Sequence, residues 1–366
     1  MSTGLLMLCL VGCGDPRVSE PALTVESVLG GQSDSGFARA DSPRVFSFPA
    51  DHRAHPAFRN EWWYITGNLA ARDGAAYGYQ VTLFRNGLRA GEPESTSDFA
   101  THAVWMAHVA VTDVSAQRHF HASRFARGAG GLAGQTDAPF TVFVGNWTIE
   151  SLDGTPNFPW RLAFDSADFA LDLTVAPQKA MALNGDMGLS HKGGEQGNAS
   201  YYYSATRLRT EGQVSLAGEA VAVEGLSWLD REWSTSALAD NTVGWDWFSL
   251  QLDSGVDLML YQLREADGRA HPASSGTITH SDGRTEHLTS LAFSLEPTRW
   301  WRSEDGRDYP VAWRVRVPGI QFDALVEARV DAQWMNTAVV YWEGSVAVTS
   351  PAGDDLGLGY LEMTGY

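Results

Sequence analysis

A chain of 366 residues, 44% hydrophobic and 11% aromatic, has material for more than one packed core, which favours two domains and excludes a disorder-dominated chain. The formal charge of −18 and the isoelectric point near 4.9 argue against a nucleic-acid partner, because a phosphate-binding surface needs clustered Lys and Arg. Lys179 and Lys192 are the only lysines, so almost all of the positive charge is arginine.

The first segment, "GLLMLCLVGCGDP", is an apolar run of about signal-peptide length. Its ending, Leu10-Val11-Gly12-Cys13, resembles a bacterial lipobox, in which the cysteine becomes the lipidated first residue of the mature chain. The expectation is a lipoprotein signal peptide over 1–13 and an acyl anchor on Cys13, which would hold the protein outside the cytoplasm, on the periplasmic side of a bacterial membrane or at the cell surface. Cys9 and Cys13 are the only cysteines, so the body beyond them has no disulfide and no Cys-based zinc site. No later run is long and apolar enough to span a bilayer. Residues 14–45, rich in Gly, Ser, Pro and Asp without periodicity, read as a flexible tether.

Beyond the tether, short alternating runs are separated by "ARDGAA" (71–76), "LDSGVD" (252–257), "EADGRA" (265–270) and "HSDGRT" (280–285). Asp-Gly and Ser-Gly between such runs are hairpin signals, because glycine supplies the positive φ of a tight turn. With no long amphipathic helix in sight, the chain reads as all-β, a barrel or sandwich. A weak internal repeat relates "EWWYITGNLAARDGAAYGYQVTLFR" (61–85) to "GWDWFSLQLDSGVDLMLYQLR" (244–264), each a strand, a Gly turn and a second strand. The domains are therefore expected over 46–210 and 211–366.

Three strands place carboxylates among aromatics. In "HPAFRNEWWYITGNL" (55–69), side-chain alternation puts Trp62, Tyr64 and Thr66 on one face and Glu61, Trp63 and Ile65 on the other. Both faces look buried, as in a strand between two layers or one lining an apolar cavity. In "GLSWLDREWSTSAL" (225–238), Trp228, Asp230 and Glu232 share a face opposite Leu229, Arg231 and Trp233. Asp230 and Glu232 should then be paired with arginine in a structural network, or shifted in pKa so that they share a proton for acid-base work. In "GWDWFSLQL" (244–252), Asp246 lies with the apolar Phe248, Leu250 and Leu252, opposite Trp245 and Trp247. Burial there raises a carboxyl toward the range of a general acid, unless Asp246 caps the strand or pairs with arginine. "HFH" (119–121) has two imidazoles on one face but no third ligand, so no metal site is expected; His55 and His108 lie beside the aromatic strands. Gly-x-Ser-x-Gly, His-Glu-x-x-His, a phosphate loop and Gly-x-Gly-x-x-Gly are all missing, which disfavours an α/β serine hydrolase and a zinc protease.

Together, "HPAFRNEWWYITGNL", "MAHVAVTD", "GNASYYYSATRL", "GLSWLDREWSTS", "GWDWFSLQLDSGVDLMLYQLR" and "YWEGSVAVTS…GLGYLEMTGY" resemble the carotenoid 1,2-hydratase family and its AttH-type relatives, the predicted secreted hydrolases, over about residues 45–366. The resemblance implies two lipocalin-like antiparallel β-barrels packed together, and a hydrophobic small molecule or lipid as ligand. It also implies hydratase- or hydrolase-type acid-base chemistry without metal or organic cofactor. On that reading Asp230 is the general acid or cation stabiliser, Glu232 its proton-sharing partner and Arg231 the group orienting the pair. Asp246 and Glu61 are reserves, and His108 is a base for water. Trp62, Tyr64, Trp228, Trp245, Trp247, Tyr202 and Tyr261 would wall the ligand and stabilise a developing cation. The competing readings are a non-catalytic carrier or sensor of hydrophobic ligands, whose carboxylates pair with Arg231 or Arg264, and a structural lipoprotein with filled barrels.

Overall fold

A computed structural model describes residues 36–366 except 92–94, 96, 236–240 and 338. The lipobox-like segment with Cys13, and the tether up to residue 35, lie outside the described residues.

Alternating apolar positions build β-strands throughout. The first set comprises β1 (Asn60–Ala71), β2 (Ala76–Gly87), β3 (Ala103–Asp113), β4 (Arg118–Arg127), β5 (Ala133–Asp137), β6 (Phe140–Val144), β7 (Trp147–Ser151), β8 (Trp160–Asp165) and β9 (Phe169–Pro177). The short β10 (Ala182–Leu183) and β11 (Leu189–His191) precede β12 (Ala199–Leu216) and β13 (Glu219–Ser234). They form one antiparallel sheet in the order β4-β3-β2-β1-β13-β12-β9-β8-β7-β6-β5, curled so that β2, β3 and β4 come back against β6. The second set is β14 (Thr242–Leu252), β15 (Asp257–Glu265), β16 (Ser275–Thr279), β17 (Thr285–Thr289), β18 (Ser294–Arg302), β19 (Asp308–Val317), β20 (Phe322–Ala328), β21 (Trp334–Asn336), β22 (Val340–Thr349) and β23 (Asp355–Thr364). Its order is β17-β16-β15-β14-β23-β22-β20-β19-β18.

The two orders superimpose: each sheet reads outward from a hairpin, β1-β2 or β14-β15, and returns its last strand, β13 or β23, beside that hairpin's first. The expected all-β pair of lipocalin-like sheets is present, the first nearly closed and the second more open. The change of sheet falls between Ser234 and Thr242, whereas a boundary near 210 would cut β12; residues 211–234 continue the β12-β13 hairpin, whose turn at Ala217 and Gly218 takes positive φ. The end of the expected tether is also attached: Ala40 is fully buried against Tyr203 and Trp233, and Ala38 accepts a hydrogen bond from Thr235.

The lumen of the first sheet holds a core of Trp63, Trp105, Trp147 and Trp160 with the aliphatic residues around them; Phe248, Trp313 and Trp342 are in the core of the second. A third layer forms where the outer faces of the two sheets meet. There Asn68 Nδ2 donates to Gly359 O (2.9 Å), and Gln251 Nε2 donates to Ser227 O (3.0 Å) and Thr206 O (2.8 Å). Gly78 on β2 permits the approach to β22, since a Cβ there would lie 2.7 Å from the Ser345 Cβ. Asp257 of the second sheet is completely buried between Lys179 Nζ (2.7 Å), from the β9-β10 connection, and Arg207 (2.6 Å) on β12.

The opposite face of β1 holds a separate ionic cluster in the mouth of the first sheet. Glu61 meets Arg85 and Arg231, the latter at 3.1 Å, and accepts from the His55 backbone N–H (2.9 Å). Burial alone would raise the Glu61 carboxyl, but the guanidinium of Arg85, the bond from His55 and Arg231 together hold it well below the usual range. A carboxyl depressed on folding contributes stability that is complete above its unfolded value, about 4.3, and is lost as the pH falls below it. Glu61→Gln should therefore flatten the acid limb of a denaturation curve taken between pH 6 and pH 2; an unchanged acid limb would remove Glu61 from that balance.

Candidate active site

The cavity between the sheets encloses about 110 Å³. Strand alternation decides what reaches it. On β1, Trp62 and Tyr64 point in while Glu61, Trp63 and Ile65 turn to the first core; on β14, Trp245 and Trp247 point in while Asp246 and Phe248 turn away. The Tyr64 and Trp247 rings meet edge to face at 5.2 Å, so the repeated hairpins present their equivalent aromatics to each other. Tyr202, Tyr261, Phe84, Met106 and Leu263 extend the wall.

Asp230 faces this space from β13 and is almost completely buried. Its Oδ1 accepts from Trp228 Nε1 (2.7 Å) and Ser204 Oγ (2.5 Å), and its Oδ2 from the Tyr202 hydroxyl (2.5 Å). Desolvation pushes the carboxyl up to about 7; the bonds from Ser204, Tyr202 and Trp228 oppose that rise and the nearby charge of Glu232 adds to it. Trp228 thus reaches the site as a support for Asp230. Glu232 shares the face but, in place of the expected shared proton, binds Lys192 Nζ (3.0 Å) and the Ser200 hydroxyl. Lys192 lies over the Tyr261 ring at 4.3 Å; burial works against its charge, yet Glu232 holds the ammonium above its ordinary value.

Three expectations are corrected. Arg231 does not orient the carboxyls: an odd offset along β13 sends it to the opposite face, stacked on Trp63 at 3.8 Å and bound to Glu61. Glu61 lies on that same far face. Asp246, one residue out of phase with Trp245 and Trp247, binds Arg264 at 2.5 Å and accepts from the Tyr366 hydroxyl (2.7 Å); burial still pushes its carboxyl up to about 6, but outside the cavity. Both hairpins thus end in an acid-arginine pair, Glu61 with Arg85 and Asp246 with Arg264. His108 does line the cavity, with Nδ1 against the Tyr341 hydroxyl and Nε2 without a hydrogen-bond partner; desolvation lowers it to about 3, so the ring is neutral. His119 and His121 lie 5.9 Å apart, and among the described residues no three metal-ligating side chains converge.

Sequence reasoning missed Lys192, Glu343 and Glu362. Both glutamates lie inside quoted strands, "YWEGSV" and "GYLEMTGY", where a lone carboxylate between apolar residues is the available signal. Lys192 sits in the polar, Gly-rich "HKGGEQGN", which gives none.

These features define a lipocalin-like double sheet with a buried acidic pocket between its halves. The AttH-like family profile matches residues 39–366, and the chain belongs to that family. It is similar to a crystal structure designated AttH (NE1406) from Nitrosomonas europaea, with 33% identity and a TM-score of 0.81, covering 90% of this chain and 100% of that one. The fold is shared with kievitone hydratase from Nectria haematococca (16% identity, TM-score 0.67, 91% and 96% covered). It is shared also with CghA in complex with Sch210972 (12% identity, TM-score 0.51, 91% and 97% covered). No curated protein matches the sequence.

Proposed function

We propose that the cavity is the active site of a hydratase-type enzyme that adds water across an alkene of an uncharged, apolar substrate. The observation that carries this reading is Asp230: a carboxyl titrating near neutrality, fixed by three donors and aimed into an aromatic chamber. Protonated Asp230 gives its proton to one alkene carbon, the π electron pair forming the C–H bond. The cation left on the other carbon faces Trp62, Tyr64, Trp245 and Trp247, whose π faces stabilise positive charge. Water then forms the C–O bond and returns a proton to Asp230, so one group serves as acid and then as base. Hydration is also the chemistry named for the fold relative kievitone hydratase. A cavity of this size takes the reactive end of a substrate, comparable with the ~150 Å³ apolar cavity that holds benzene. The proposal extends to an acyl anchor on Cys13 and an extracytoplasmic location; a Cys13→Ser form that still partitions with membranes would remove that part.

Incubation with alkenes of this size in ¹⁸O-labelled water, followed by mass spectrometry of the products, tests the reaction. Label appearing in an alcohol product only when Asp230 is present supports it. The lining also sets ligand charge: four carboxyl groups face a single ammonium, so an anion would enter against a negative field. Methyl benzoate should quench tryptophan fluorescence at concentrations at least about tenfold lower than benzoate, about 1.4 kcal/mol of preference. Equal affinities would overturn the charge argument.

A further inference from the structure

The repeat relates the two walls of the cavity. Asp230 lies directly across from Tyr64 on the first hairpin, and Glu362 lies directly across from Trp247 on the second. On its other side Asp230 is paired with Ser204, whose hydroxyl donates to it; Glu362 is paired with Glu343. Where the first half supplies a hydroxyl donor, the second half supplies another carboxyl. Opposed cross-strand side chains lie about 5 Å apart at Cβ, and two ionised carboxyls there repel with no donor between them. Both glutamates line the cavity, and Glu343 is only 2% exposed. Trp245 Nε1 donates to Glu362 Oε1 (3.1 Å), whereas Glu343 Oε2 is buried without a hydrogen-bond partner. No Arg, Lys or His among the described residues makes an ion pair with either: Lys192 is taken by Glu232, and Arg329 reaches Asn68 (3.4 Å) and Ser345 (3.5 Å).

From this juxtaposition we propose that Glu343 and Glu362 hold at least one proton between them at neutral pH and are a second proton donor of the cavity, across from Asp230. The titratable groups around the pair are Tyr64, Tyr341 and Tyr360, with the neutral His108 beside them and Asp230 and Glu232 on the other wall; the one ammonium of the lining, Lys192, is held by Glu232. Burial pushes both carboxyls up, Glu362 to about 8, and the charges of Asp230 and Glu232 add to the rise at Glu362. A neutral acid in this position donates a hydrogen bond to an uncharged oxygen on a bound ligand, which makes oxygenated apolar molecules the class of ligand this end of the cavity accepts.

The donor role rests on the cavity being the active site, but the shared proton is tested without any substrate. The full chain, labelled with ¹³C at the glutamate side-chain carboxyl, is titrated by NMR as wild type, Glu343→Gln and Glu362→Gln. Expected are at least one glutamate still protonated at pH 7 in the wild type, and a downward shift of about one unit or more in the Glu343 midpoint once Glu362 is Gln. Thermal melts give a second reading. An acid whose folded pKa is raised contributes stability below its unfolded value that is lost as the pH rises through the folded one. Glu343→Gln should therefore gain in Tm over wild type progressively from pH 6 to pH 9. Full ionisation of both glutamates at pH 6, or a Glu343 midpoint indifferent to Glu362, would overturn the pair. That result would leave Asp230 as the proposed acid, and an Asp230→Asn variant with full turnover would leave the pair in place.

Discussion

Asp230→Asn should lose about 10²–10⁴-fold in turnover while keeping the fold, the range spanned by loss of a positioned general acid. Asparagine is isosteric. Its Oδ1 still accepts from Trp228 and Ser204, and its Nδ2 donates to the Tyr202 hydroxyl, whose hydrogen rotates away. The exchange therefore removes a transferable proton and little else. In the wild type the rate should fall as the pH rises through about 7, where Asp230 gives up its proton. Tyr202→Phe sharpens the assignment: with one donor to the carboxylate gone the anion is less stable, and the alkaline limb should move to higher pH. The checks are pH-rate profiles of the three proteins on a substrate identified by ¹⁸O incorporation. Full turnover by Asp230→Asn, or a limb in Tyr202→Phe displaced to lower pH, would sink the assignment.

Asp257→Ala should be the most damaging single change away from the cavity, destabilising the protein by about 3–5 kcal/mol, the usual result of breaking a buried ion pair by removing one partner. Asp257 accepts from Thr206 (2.9 Å) as well as from Lys179 and Arg207; Thr206 and Arg207 are on β12 of the first sheet, and Lys179 is in the β9-β10 connection. Without it, an ammonium and a guanidinium remain largely buried at the junction of the sheets. Lys179→Met in the Asp257→Ala background should recover part of the loss, because one uncompensated charge is then removed. Urea unfolding of the single and double variants measures both. A loss below about 1 kcal/mol would mean that the cluster behaves as a hydrated surface network.

Much of this arrangement was legible because the side-chain period of a strand is two. The faces of β1, β13 and β14 were assigned correctly residue by residue, down to the isolation of Asp246 from its flanking tryptophans. The Gly turns and the hairpin repeat pointed to the doubled sheet. What stayed hidden depends on pairing between distant strands. Either face of β1 could have been the ligand face, since both are apolar and both carry polar neighbours. The stacking of Trp105 on Trp63 within the first core closes one of them. Arg231 and Glu61 are 170 residues apart, and their bond in the first mouth follows from the β1-β13 register, which no local pattern states. The 210 boundary failed because "YYYSATRLRT" ends like a strand, although β12 runs on to Leu216 and turns back.

The paired walls have a stereochemical consequence. Two identical halves related by a twofold axis would offer a guest lying across that axis two equivalent poses with its ends exchanged. In this chain the corresponding positions have diverged: tyrosine against tryptophan at 64 and 247, aspartate against glutamate at 230 and 362, serine against glutamate at 204 and 343. Carrying both halves on one polypeptide makes that divergence heritable. A guest bound across the junction thereby meets different groups at its two ends, and its two end-for-end poses differ in energy.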